Sequence, residues 1–283
     1  MKLLRVGAKG AEKPAILADD SSIRDLSGIV SDIGGEALTP RGLDRIRAVD
    51  TSTLPMLDRS ERTGACVGNV GKFICIGLNY ADHAAESNLP VPTEPVIFMK
   101  ATSAIIGPND DVIIPKNAIK PDWEVELGIV IGMEARYVEE CDAFDHVAGY
   151  CVVNDVSERH FQTERGGTWD KGKGSDTFGP IGPWLVTRDE IADPQDLSMW
   201  LEVDGHRYQN GSTRTMIFGI QTIVSYVSQF MSLQPGDIIS TGTPPGVGMG
   251  LKPGPKWLQP GNVMRLSVEG LGEQRQLVKS YQG

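Results

Sequence analysis

Short β-branched runs recur between turn signals along most of the chain. They begin with "KLLRV" (2–6) and "KPAILADD" (13–20). From residue 72 they continue as "KFICIGLNY", "PVIFMKATSAIIG", "DVIIP", "VELGIVIG", "HVAGYCVVND", "GPWLVT", "LSMWLEVDG", "DIISTGTP", "NVMRLSVEG" and "QRQLVKS". Apolar runs of this length, bounded by Gly, Pro, Asn and Asp, predict strands. Two stretches change to the helical period. "TPRGLDRIRAVD" (39–50) has Thr39 in position to cap a short helix. "MIFGIQTIVSYVSQFMSL" (216–233) sets Ile217, Ile220, Ile223, Val224, Val227 and Met231 at helical spacing and predicts one strong helix. The pattern as a whole predicts a mixed, β-rich α+β fold with few helices, without the alternation of βαβ units. "TSTLPMLDRSERTGACVGNVG" (51–71) has no periodicity and reads as a linker. Residues 1–64 are therefore expected to form a small N-terminal domain and residues 65–283 a larger one.

Composition narrows the function classes. The chain has 283 residues, 40% hydrophobic and 23% charged, as expected of a globular protein with ample core material. A net charge of −10 argues against nucleic acid and anionic membrane surfaces as partners. An anionic substrate would have to be captured by a local cation. The four cysteines show no C-x-x-C spacing and read as reduced thiols. The N-terminus lacks the apolar segment of a signal peptide, and no run reaches the length of a membrane span, so a cytoplasmic protein is expected. "GVGMG" (246–250) is followed by "LKPGP" instead of a helix and opens no dinucleotide fold.

The stretch that invites a chemical reading is "DWEVELGIVIG" (122–132). Alternation along a strand puts Glu124 and Glu126 on one face and Trp123, Val125 and Leu127 on the other, with Gly128 leaving room beside the carboxylates. Taken alone, the pair is equally consistent with a half-exposed strand that has a wet face. Asp155 closes another apolar run in "VVNDV", where an aspartate is ordinarily a turn or cap residue. Together, three carboxylates from two strands would make an all-oxygen site suited to a hard cation such as Mg²⁺ or Mn²⁺.

Four motifs in order, E-x-E at 124–126, "NDVSER" (154–159), "KGKGSDTFGPIGPW" (171–184) and "STGTPPGVG" (240–248), resemble the fumarylacetoacetate hydrolase family from about Lys72 to about Val268. The likeness is strongest to bacterial members that act on 2,4-dioxo acids, including those of sugar-acid breakdown. It implies mixed sheets curled around a metal centre, preceded by a small N-terminal domain, in a homodimer. It also implies that Glu124, Glu126 and Asp155 bind Mg²⁺ or Mn²⁺. His83 and Glu86, three apart on a helical turn, can touch, and a carboxylate raises the basicity of an imidazole. The resemblance makes this pair the water-activating dyad of a lid. It likewise selects Lys173 over Lys171 as the lysine that binds substrate oxygens. Arg159, Gln162, Gln209 and Thr243 are carried over as substrate-binding residues. Glu158 and His160 stand where many relatives have Ala and Asp, and "KGKGSDTF" replaces a commoner K-S-F-D.

The activity so implied is metal-dependent hydrolysis of the C3–C4 bond of a 2,4-dioxo acid, giving pyruvate and a carboxylic acid. The substrate is a small anionic keto acid, with a 2,4-diketo-3-deoxy sugar acid favoured over other acylpyruvates. Oxaloacetate decarboxylation and the ureidoglycolate lyase reaction are the catalytic alternatives. A metal-stabilised binding protein without catalysis is the other class, and the His83–Glu86 pair argues against it.

Overall fold

The structure is a computed structural model that describes residues 1–82 and 90–282. A ten-stranded sheet runs through the molecule. Its strands, in spatial order, are Met56–Leu57, Ile23–Asp25, Lys13–Leu17, Lys2–Val6, Leu185–Thr187, Val147–Asn154, Val125–Ile131, Ile238–Ser240, Phe73–Gly77 and Val96–Lys100. All neighbours are antiparallel except Ile238–Ser240 and Phe73–Gly77. The N-terminal strands continue this sheet, because Lys2 and Leu3 pair with Val186 and Leu185. A second sheet has five strands: His206–Ser212, Ser198–Val203, Val263–Val268, Glu273–Ser280 and Val112–Ile114. The result is the mixed, sheet-rich α+β fold that the strand pattern predicts.

The two faces of Val125–Ile131 explain its composition. Val125, Leu127, Ile129 and Ile131 join the larger apolar cluster, which includes Met199, Leu201, Met264 and Leu266 of the second sheet. Val130, on the opposite face, packs with Leu38, Ile46, Cys151 and Ile238. All seven residues of the strand are buried. The wet face open to the sequence reading is therefore absent. Nor does Gly128 leave room: a Cβ there would come within 2.7 Å of the Val153 side chain and 2.9 Å of the Cys151 sulfur. Close approach of the neighbouring strand requires the glycine.

Among the described residues helices are few and short. Pro40–Arg47 is capped as expected, Thr39 Oγ1 accepting the Gly42 amide at 3.1 Å. The expected long helix is confined to Ile220–Ser228. Before it, the Ile217 amide donates to the Asn79 carbonyl and the Phe218 amide to Asn79 Oδ1, which holds the chain extended. After it, Leu233 exchanges backbone hydrogen bonds with Ala135. Tertiary partners captured both ends of the apolar pattern. Among the described residues no helix is long and apolar enough to cross a membrane.

Candidate metal and substrate site

Glu124 lies just before the strand Val125–Ile131, and its carbonyl accepts the Asp155 amide at 2.9 Å. That hydrogen bond extends the ladder between the two central strands and brings Asp155 beside both glutamates. One carboxylate oxygen from each of Glu124, Glu126 and Asp155 lies within 4.8 Å of the others, and all three residues are buried. The sequence reading thus placed the trio in one cluster, and the structure brings it together.

Three cations surround it. Lys173 Nζ donates to Glu124 Oε2 at 2.6 Å and to Asp155 Oδ2 at 2.7 Å. Lys100 Nζ donates to Asp155 Oδ1 and to the Val156 carbonyl. Arg159 Nη2 donates to Glu124 Oε1 at 2.5 Å, its Nε to Asp122 Oδ2 at 2.8 Å and its Nη1 to Gln162 Oε1 at 3.0 Å. Burial alone would raise the Glu124 pKa, but Arg159 and Lys173 outweigh it and hold the carboxyl well below its usual range. Burial alone would discharge Lys173, but Asp155 and Glu124 outweigh that and keep its ammonium charged.

Glu126 differs. It accepts from Ser240 Oγ at 2.5 Å and from the Gly242 amide at 2.8 Å. Among the described residues no cation forms an ion pair with it. Burial, with Asp155 and Glu124 beside it, pushes its carboxyl well above the usual range. A buried carboxylate with no ion-pair partner, beside two more carboxylate donors and, among the described residues, no sulfur or imidazole in the cluster, suits a hard divalent ion. The residues present fit a divalent cation.

A cavity of about 110 Å³ opens over this cluster, and its lining includes Glu124, Glu126, Arg159, Gln162, Lys173 and Thr243. Lys171, by contrast, is exposed and holds the Arg165 and Gly166 carbonyls. Thr243 reaches the cavity, but its hydroxyl donates to the Val125 carbonyl and accepts from Gln209 Nε2, both at 2.8 Å. Gln209 is fully buried behind it; Gln209 Nε2 also donates to the Pro244 carbonyl, and Gln209 Oε1 accepts the Val125 amide. It clamps the 243–244 turn to the glutamate strand and does not line the cavity. His83 and Glu86 lie outside the described residues. Leu78, five positions before His83, lines the cavity.

Three participants escaped the sequence reading. Lys100 ends the strand Val96–Lys100, where a lysine on the inward face beside Phe98 was the available signal. Asp122 opens the quoted stretch and gathers four donors: the Trp123 and Gly248 amides on Oδ1, and Arg159 Nε and the Met249 amide on Oδ2. Ser240 came in from a separate strand. Glu158, noted for departing from relatives, accepts the Ile119, Lys120 and Phe161 amides and serves as a buried cap.

The model of the fumarylacetoacetate (FAA) hydrolase C-terminal family matches residues 72–279. A provisionally named hydrolase of Burkholderia lata is 65% identical over 276 residues, covering 98% of each chain. The solved fumarylacetoacetate hydrolase of Exiguobacterium antarcticum is 36% identical with a TM-score of 0.87, covering 99% of this chain and 100% of that one. Maleylpyruvate hydrolase of Sphingobium sp. SYK-6, solved with manganese(II) and pyruvate, is 28% identical with a TM-score of 0.82, covering 100% of both chains. Isomerase names also occur among the similar solved structures.

Proposed function

We propose, because this chain belongs to the fumarylacetoacetate hydrolase family, that its site binds Mg²⁺ or Mn²⁺ and hydrolyses the C3–C4 bond of a 2,4-dioxo acid. The observation that carries the proposal is the placement of Lys173. A buried, charged ammonium touches two of the three clustered carboxylates and faces the cavity. Such a cation supports an oxygen that gains negative charge during the reaction. The Sphingobium enzyme, solved with manganese(II) and pyruvate, supports the same chemistry.

Water adds to the 4-carbonyl, the C3–C4 bond breaks, and its electron pair passes into the enolate of pyruvate. The enolate takes a proton on carbon, and the acyl half leaves as a carboxylic acid. A bound Mg²⁺ or Mn²⁺ supplies Lewis acidity toward the 2-keto acid end. Lys173 donates to the enolate oxygen as charge gathers there. Arg159 is held by Asp122, Glu124 and Gln162, and so offers a fixed positive charge beside the anionic substrate. His83, backed by Glu86, takes the proton of the attacking water.

The experiment is a panel of acylpyruvates, 2,4-diketo-3-deoxy sugar acids, oxaloacetate and ureidoglycolate, run on wild type and His83→Ala. Pyruvate should be released from dioxo acids, and the variant should lose about 10²-fold or more of that rate. Decarboxylation needs no attacking water, so any loss of CO₂ from oxaloacetate should fall far less. Cleavage near the wild-type rate in His83→Ala would remove His83 as the base. Faster turnover of oxaloacetate or ureidoglycolate than of every dioxo acid would replace the hydrolase reading.

A further inference from the structure

We infer that the cavity carries an apolar subsite for the acyl group, so that the preferred substrate is an acylpyruvate with an alkyl or aromatic acyl chain and not a polyhydroxylated one. The inference rests on the 2,4-dioxo-acid reading above and goes beyond it by naming the acyl class. Besides its charged and polar residues, the cavity is lined by the apolar Ile76, Leu78, Phe98, Trp169 and Met249. This wall is built, not accidental. The Trp169 ring packs edge-on to Phe98 at 5.5 Å and lies so close to the backbone that a Cβ at Gly77 would meet it at 2.4 Å. Lys173 covers the same Phe98 ring at 5.0 Å, so Phe98 joins the charged half to the apolar half. Leu78 holds a left-handed backbone with φ of 53°, a conformation a leucine adopts only at a cost. Met249, 38% exposed, lies at the rim, and its amide is tied to Asp122.

Most polar groups nearby are already committed; among the described lining residues, the side-chain donors without a protein acceptor are Gln162 Nε2 and Trp169 Nε1. All three guanidinium nitrogens of Arg159 have protein acceptors. The Thr163 hydroxyl donates to the Arg159 carbonyl, and that of Thr243 to Val125. Several hydroxyls along an acyl chain would leave water for few replacement partners among the described residues, whereas methylenes or an aromatic ring would gain from burial against the apolar lining. This turns the choice away from the sugar acid favoured by resemblance.

Binding separates the subsite from turnover. N-substituted oxamates keep a keto-acid-like head and vary only the tail, and calorimetry on the Mg²⁺- or Mn²⁺-loaded protein reads their affinity. N-propyl and N-butyl oxamate should bind more tightly than oxamate by about fourfold per buried methylene. N-(2,3-dihydroxypropyl) oxamate should bind about tenfold or more weakly than the N-propyl compound. Met249→Gln, at a half-exposed position, should narrow that preference by about fourfold. Equal or tighter binding of the dihydroxypropyl tail overturns the subsite. Failure of every oxamate to bind overturns both the subsite and the function it rests on. An alkyl preference with no dioxo acid cleaved overturns the proposed function and leaves the subsite standing.

Discussion

Arg159 donates its Nε–H to Asp122 at 2.8 Å, and both side chains are buried. The same carboxylate holds the Gly248 and Met249 amides, so one residue fixes both a cation of the site and the rim of the cavity. Breaking a buried charge pair from one side leaves the other charge uncompensated, at about 3–5 kcal/mol. Asp122→Asn keeps the shape but turns an N–H group toward converging donors. We expect a stability loss of about 3 kcal/mol in urea unfolding and a rise in substrate KM that exceeds the fall in kcat. A loss under about 1 kcal/mol would show that Asp122 does not anchor Arg159.

Glu126 has no ion-pair partner among the described residues and lies beside two further carboxylates. Replacing it with Gln removes repulsion and desolvation cost in the metal-free protein, yet also removes a ligand. In EDTA, Glu126→Gln should melt at or above the wild-type temperature. With saturating Mg²⁺ or Mn²⁺, wild type should gain stability in proportion to metal concentration over Kd, and the variant little. Equal metal-induced shifts in both proteins would exclude Glu126 as a ligand.

Arg62 bridges the start of the chain to the larger sheet system. Its Nη1 donates to Glu12 at 2.9 Å and its Nε to Asp110 at 2.7 Å. Burial alone would raise both carboxyls, but Arg62, together with the Gly10 amide and Arg5 at Glu12 and the Gly107 amide at Asp110, outweighs it, and each sits below its usual range. Groups with lowered folded-state pKa stabilise above their unfolded values, about 4, and that contribution is lost as pH falls through the folded values. Urea midpoints should therefore drop as pH goes from 5 toward 3, and Asp110→Asn should flatten the drop. Parallel wild-type and variant curves would contradict this.

The chemistry was legible where it depended on local order. The period of two put Glu126 on the face opposite Val125 and Leu127, and a strand end located Asp155. Thr39 marked its helix because a cap is decided by neighbours three residues away. What failed to show depended on distant partners. Nothing near Glu124 announces that Lys100, from another strand, meets Asp155, or that Ser240 supports Glu126. The apolar spacing of 216–233 continues past the helix because both flanks also face the core, while their hydrogen bonds go to Asn79 and Ala135. Periodicity reports the buried face and is silent about which backbone groups pair.

Pyruvate release from an acylpyruvate by metal-stripped protein shows whether C–C hydrolysis depends on the metal. Without added metal, release should be absent. Titrating Mg²⁺ or Mn²⁺ should restore it, with pyruvate and carboxylic acid formed in equal amounts. Full release by the stripped protein, or none with either metal present, would rule out metal-dependent hydrolysis at this site.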